Sequence, residues 1–147
     1  MNDLYDEDIL QWSEQQATLL RRRAAGELVN DAELDWPNIA EEIESVGNEQ
    51  VHAVRSLLMR ALEHDLKCEA WPLSRDVPRW RAEARRFRIE AADRFTQAMR
   101  AKIDVAVLYR RARRLLPDSM DGAPPLPVPL ECPVTLDELL AEPPDGP

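Results

Sequence analysis

The chain has 147 residues, of which 44% are hydrophobic and 32% charged, and its net charge is −9. That length suits one domain, buries enough surface to fold without a staple, and together with the composition excludes a disordered chain. The charge is segregated: residues 1–72 carry 6 basic and 16 acidic groups, residues 73–116 carry 13 and 5, and residues 117–147 carry none and 7.

The opening Met-Asn-Asp-Leu-Tyr-Asp-Glu-Asp has neither a basic nor an apolar region, so no secretory signal is expected. No stretch approaches the roughly 18–20 apolar residues that cross a bilayer. A cytoplasmic protein without a membrane partner is the expectation, with Cys68 and Cys132 as reduced thiols that lack metal-ligand spacing. Half of the eight aromatics are tryptophans, Trp12, Trp36, Trp71 and Trp80, each able to bury a large area.

Residues 3–24 read as a first helix, with Tyr5, Ile9, Trp12, Gln16 and Leu19 on one face. Asp6, Glu7 and Asp8 begin it, Arg21, Arg22 and Arg23 end it, and both groups complement the helix dipole. Gly26 follows as a left-handed stop. A second helix starts at Asp35, a capping residue, with Pro37 tolerated in the first turn and Leu34 stapling onto Ile39. Its apolar stripe runs through Trp36, Ile39/Ala40, Ile43, Val46/Gly47, Gln50, Val54, Leu57/Leu58 and Ala61/Leu62 to about Lys67. Gly47 stays in phase; it costs about 1 kcal/mol against alanine and is read as a close-packing or bending position.

Pro72 and Pro78 bracket a loop, and a third helix is expected from Asp76 to about Leu116. Its stripe is Trp80, Ala84, Phe87, Ala91, Phe95, Ala98, Lys102, Val105, Tyr109, Ala112 and Leu116, with Lys102 alone off pattern and the place where a kink would fall. Helices two and three would each extend roughly 45–60 Å at about 1.5 Å per residue, so kinks or a partner molecule must cover their ends. From Pro117 the chain holds nine of its twelve prolines and should be mostly extended. Within it, Thr135 and Glu138 form a capping box and Val134 and Leu139 a staple, predicting a short helix over 135–141 docked on the bundle, with residues 143–147 frayed. The fold expected is all-α: a bundle over 1–116 built on two long antiparallel helices plus the N-terminal helix, and an acidic proline-rich tail over 117–147.

The run Tyr5, Asp8, Trp12, Gln16, Leu19-Leu20-Arg21, then Leu34-Asp35-Trp36 and Asn38-Ile39-Ala40-Glu41-Glu42-Ile43-Glu44-Ser45-Val46-Gly47, resembles a bacterial family catalogued as domain of unknown function twenty-nine. His64-Asp65-Leu66-Lys67 is similar to that family's His-Leu-Leu-Lys segment, and Glu131-Cys132-Pro133 with Leu139-Leu140 to its tail. The chain departs from the pattern at Cys68, Ala70-Trp71 and Arg79, and the family's break in the third helical region is missing from the periodicity. The resemblance implies a small helical bacterial protein and no established activity.

Glu41, Glu42 and Glu44 are candidate metal or acid–base carboxylates, since Glu41 and Glu44 share a helix face as in helical di-metal sites; a solvated acidic face is the simpler account. His64 and Lys67, one turn apart and near Arg75, are candidate anion or proton-handling groups, against a plain Glu63–Lys67 pair. Arg79, Arg86 and Arg100 on one side of helix three, and Arg81, Arg85 and Arg88 on another, suit phosphate or a partner, although internal pairing with the acidic segments competes. No catalytic triad, phosphate loop or zinc motif is present, so no metal or cofactor is assigned. The sequence therefore points to a non-enzymatic interaction or regulatory module, partnered by another protein or by self-association. A nucleic-acid-associated protein using helix three, or a metal- or anion-dependent enzyme centred on Glu41, Glu42, His64 and Lys67, are the alternatives.

Overall fold

A computed structural model describes residues 3–141, which form helices with no β-strand among them. The expected fraying of residues 143–147 lies outside the described residues. Two compact units are present, one ending at Asn48 and the other beginning at Glu49.

The first unit opens with helix α1 (Leu4–Glu7) and helix α2 (Ile9–Ala24), where one helix over 3–24 was expected. The break falls at Asp8, whose backbone is extended (φ −151°, ψ 88°) and whose carboxylate accepts the Gln11 N–H at 3.0 Å. An aspartate that satisfies a free amide starts a helix more readily than it continues one. The interruption leaves Ile9 half exposed, while Trp12, Gln16 and Leu19 stay on the buried face. At the other end Gly26 takes φ +86°, with Glu27 N–H donating to Arg22 C=O and Gly26 N–H to Arg23 C=O, the left-handed Schellman stop. A 3₁₀ turn (Asp31–Glu33) then leads into helix α3 (Trp36–Ala70). Leu34 and Ile39 close the small core with Trp12 and Leu19.

The second unit is built on the rest of α3. Val51, Val54, Leu58, Leu62 and Leu66 recur at helical spacing and are all buried. Helix α4 (Val77–Arg94) returns antiparallel to it: the Cys68 thiol lies against Val77 C=O, His64 meets Glu83, and Arg60 lies over Phe87. Trp80, Ala84, Phe87 and Ala91 are its buried stripe, as expected.

The unbroken third helix is not observed. The chain turns extended at Phe95 (φ −68°, ψ 137°), passes through a 3₁₀ segment (Gln97–Lys102), and restarts as helix α5 (Val105–Arg114). Met99 and Ile103 are thereby buried in place of Ala98 and Lys102, which remain exposed. A straight rod would have placed the Lys102 ammonium in the core, where an unpaired charge is costly. Asp104 caps the restart by accepting Ala106 N–H at 3.0 Å, and the Arg55 guanidinium donates through Nε to the freed Lys102 carbonyl at 3.0 Å.

The tail packs on this core. Tyr109 donates its hydroxyl to Pro129 C=O at 2.6 Å, and Leu126 N–H donates to Ala70 C=O at 2.9 Å, satisfying a carbonyl at the end of α3. Helix α6 (Leu136–Leu140) is capped by Thr135, whose Oγ1 accepts Glu138 N–H at 3.2 Å. Leu139 is fully buried, and Arg100 pairs with Asp137 at 2.9 Å. Both cysteines are free and half-buried. Among the described residues no helix is long and apolar enough to cross a membrane.

Leu139→Ala should cost about 3 kcal/mol in urea-induced unfolding, because it deletes a fully buried leucine. Gly47→Ala should instead raise stability by about 0.5–1 kcal/mol, since the helix interior prefers alanine and nothing lies within 4 Å of the added methyl. A thermal scan of both variants checks the opposite signs.

Candidate interaction surface

In the N-terminal unit α1 and α2 run antiparallel to the stretch from Glu33 into the first turns of α3, with Tyr5 opposite Glu42, Trp12 opposite Asp35 and Gln16 opposite Glu33. Three polar contacts clasp the pair. The Trp12 indole N–H donates to Asp35 Oδ2 at 2.9 Å, where the Asn38 amide also donates at 2.8 Å. Gln16, the one buried polar side chain among the described residues, donates Nε2 to Glu33 C=O at 3.1 Å and accepts Asp35 N–H at 2.8 Å. Burial alone would raise the Asp35 pKa, but the hydrogen bonds from Asn38 and Trp12 outweigh it and hold the carboxyl below its ordinary value. The Tyr5 hydroxyl, donating to Glu42 at 2.5 Å, is pushed up to about 12, mainly by that bond to a carboxylate.

Two packed helices bury one face each. Within this unit the expected inward stripe of α3 is only partly covered. Ile39 is buried, but Trp36 is 46% exposed, Ile43 69% and Val46 63%. Trp36, Ala40, Ile43 and Gly47 follow one another at intervals of four, three and four, the spacing that aligns residues along a helix. All four are exposed, and no atom stands within 4 Å of a Cβ built on Gly47. Glu41 and Glu44 are exposed on the same turns. Residues 3–48 carry 12 acidic and 3 basic side chains, so this apolar line crosses a strongly negative surface.

The acidic trio is therefore divided: Glu42 holds Tyr5, while Glu41 and Glu44 face solvent. Among the described residues no three His, Cys, Asp or Glu side chains stand together as metal ligands. The basic candidates are placed in the second unit. His64 is held by Glu83 at 2.7 Å, by Arg60 C=O at 2.7 Å and edge-on by Phe87 at 5.4 Å. Lys67 pairs with Glu63 at 3.6 Å and Arg79 with Asp76 at 3.7 Å. Arg86 pairs with Glu90 at 3.8 Å and lies over the Phe87 ring, so it and His64 share that aromatic. Arg75 is exposed beside the 71–76 loop and makes no ion pair among the described residues.

A cleft of about 290 Å³ whose walls mix charged with apolar side chains was not foreseen. Asp65, Cys68 and Glu69 of α3, Arg81 and Arg88 of α4 and Tyr109 of α5 line it. Arg88 pairs with Asp65, yet burial keeps the Asp65 pKa above its usual value. Glu69 is raised by burial and then by Asp65, and burial raises the Cys68 thiol, which disfavours a thiolate nucleophile. Only Arg81 and Arg88 were visible beforehand, as members of a basic face; the acids stand a turn apart among many other acids, and no spacing distinguishes them.

These features define an all-helical protein whose organised chemistry lies in polar clasps and an uncovered apolar line. The chain belongs to the family described as domain of unknown function DUF29, whose model matches residues 4–143. It is also similar to an α-helical protein of unknown function from Rhodospirillum rubrum known from a crystal structure. The two are 29% identical with a TM-score of 0.68, over 94% of this chain and 89% of that one. No curated protein matches the sequence.

The lowered pKa of Asp35 carries a pH dependence. Its stabilising effect is complete above the unfolded value of about 4 and is lost as pH falls through the lower folded value. The stability difference between the wild type and Asp35→Ala should be constant from pH 7 to 5 and shrink below pH 4 in urea titrations.

Proposed function

We propose that this protein is a non-enzymatic interaction module whose N-terminal unit receives a basic amphipathic helix of a partner protein. One observation carries the reading: the line Trp36, Ala40, Ile43 and Gly47 is apolar, helically spaced and open, on a unit with four acidic groups for each basic one. A helix laid along it would cover Ile43 and Trp36 and bring its own cations against Glu41 and Glu44. Gly47 supports this use, because a glycine there gains nothing inside the chain yet allows a second backbone to come within the 8–10 Å of packed helices. A second copy is disfavoured, since two such acidic surfaces would repel one another.

The magnitudes favour a transient contact. Covering two large apolar side chains stabilises by roughly 3–6 kcal/mol, against an association cost of at least about 4 kcal/mol. Attraction between charges must supply the remainder, so binding should be weak and salt-dependent. A tryptophan-free 21-residue peptide of leucine and lysine in heptad spacing is a suitable probe, with a leucine–glutamate peptide as control. The basic peptide should bind with a Kd on the order of 1 mM at low salt and weaken as salt is added. It should shift the tryptophan emission to the blue, because Trp36 is the exposed tryptophan, and Trp36→Phe should remove that shift. Ile43→Glu separates the readings: it adds negative charge, so loss of binding supports an apolar seat, whereas stronger binding would reduce the contact to unspecific charge attraction and overturn the proposal.

A further inference from the structure

Above the C-terminal end of α3 a second surface is built, within the other unit. A groove of about 510 Å³ opens between the 71–76 loop and the tail turn at 120–126. Its lining is mainly apolar: buried Trp71 against Leu73, Met120, Pro124 and Leu126. The volume lies within the roughly 300–1,000 Å³ typical of small-molecule pockets.

Both walls are fastened. The Trp71 indole N–H donates to Ala123 C=O at 3.0 Å, and Leu126 N–H donates to Ala70 C=O at 2.9 Å. Met120 and Ala123 exchange two N–H···O=C bonds of 2.9 Å across Asp121 and Gly122, both with positive φ (51° and 80°), the arrangement of a tight type I′ turn. A groove assembled beforehand spends little ordering entropy when a ligand enters. Two side chains at its edge are nevertheless left in water: Leu73 is 97% exposed and Leu126 53%.

The rim carries one charge of each sign, and their states differ. Arg79, a turn further on, is paired with Asp76, but Arg75 has no ion pair among the described residues. The Ser74 hydroxyl oxygen accepts Asp76 N–H at 3.2 Å, which leaves its proton available as a donor beside Arg75. Asp121, also on the rim, opposes a high density of negative charge.

From this placement we infer that the groove is a binding site for a small organic monoanion with an apolar body, such as a medium-chain or aromatic monocarboxylate. The carboxylate pairs with Arg75 and the Ser74 hydroxyl, and the hydrocarbon lies on Trp71 under Leu73 and Leu126. Asp121 selects against dianions such as a phosphate monoester. The inference does not depend on the helix-docking surface.

Decanoate, acetate, decyl phosphate and decylammonium can be compared by isothermal titration and by tryptophan emission, all below their micellar concentrations. Decanoate should bind at least tenfold more tightly than each of the others. Arg75→Ala should weaken decanoate about tenfold and erase its advantage over decylammonium. Leu73→Ser should weaken it similarly. Both residues are solvent-exposed, so unchanged circular dichroism is expected, and Ile43→Glu should leave decanoate binding intact. Equal binding of decanoate and decylammonium, no loss in Arg75→Ala, or binding only near micellar concentrations would each overturn the assignment.

Discussion

The face that α3 presents from Val51 to Leu66 is the contact on which the second unit depends. Val54, Leu58 and Leu66 are essentially inaccessible to solvent, and the other elements gather on the same core: α4 through Ala91, α5 through Leu108 and Ala112, the tail through Leu139. Fully burying a leucine or valine stabilises by roughly 1.5–3 kcal/mol, so a few such positions compare with the whole net stability of a small domain, about 5–15 kcal/mol. That core also forces the chain out of helix at Phe95. Met99, Ile103 and Leu108 can all point inward only if the backbone changes period between α4 and α5.

The N-terminal unit solves a different problem. Two helices have little apolar surface to share, and polar contacts supply the missing specificity. Gln16 is buried because both ends of its amide are used, and Asp35 serves Trp12, Asn38 and the chain direction at the start of α3. The clasp sets the rotation of α3's first turns. Asp35, Ile39 and Glu42 turn toward α1 and α2, and Trp36 and Ile43, a step further round the helix from Ile39, lie beyond the cover of that neighbour. The uncovered apolar line is thus a consequence of how a two-helix core is closed.

Charge is used locally in the second unit. Arg88 and Arg100 pair across elements with Asp65 and Asp137, while Arg79 and Arg86 pair along α4. A guanidinium with a carboxylate at hand must exchange it to bind phosphate, whereas Arg81, Arg85 and Arg94 of α4 make no ion pair among the described residues. Arg75 makes no ion pair among the described residues, and the groove beside it supplies the apolar contact that an exposed charge by itself lacks.

What the sequence determined by itself is the local chemistry: helical class, the capping roles of Asp35 and Thr135, the left-handed stop at Gly26, and the buried spacing of Trp80, Ala84, Phe87 and Ala91. These depend on neighbours within a turn or two, so spacing and residue type suffice. The off-pattern Lys102 marked the stretch where the third helix fails, but not the register change that buries Met99 and Ile103. Which half of the long α3 stripe is covered, which acid meets Arg88, and how the tail turn closes over Trp71 were decided only in three dimensions. Periodicity identifies a face without identifying what lies against it. Partners such as Asp65 and Arg88, or Trp71 and Ala123, are separated by many residues and meet only when the chain has folded.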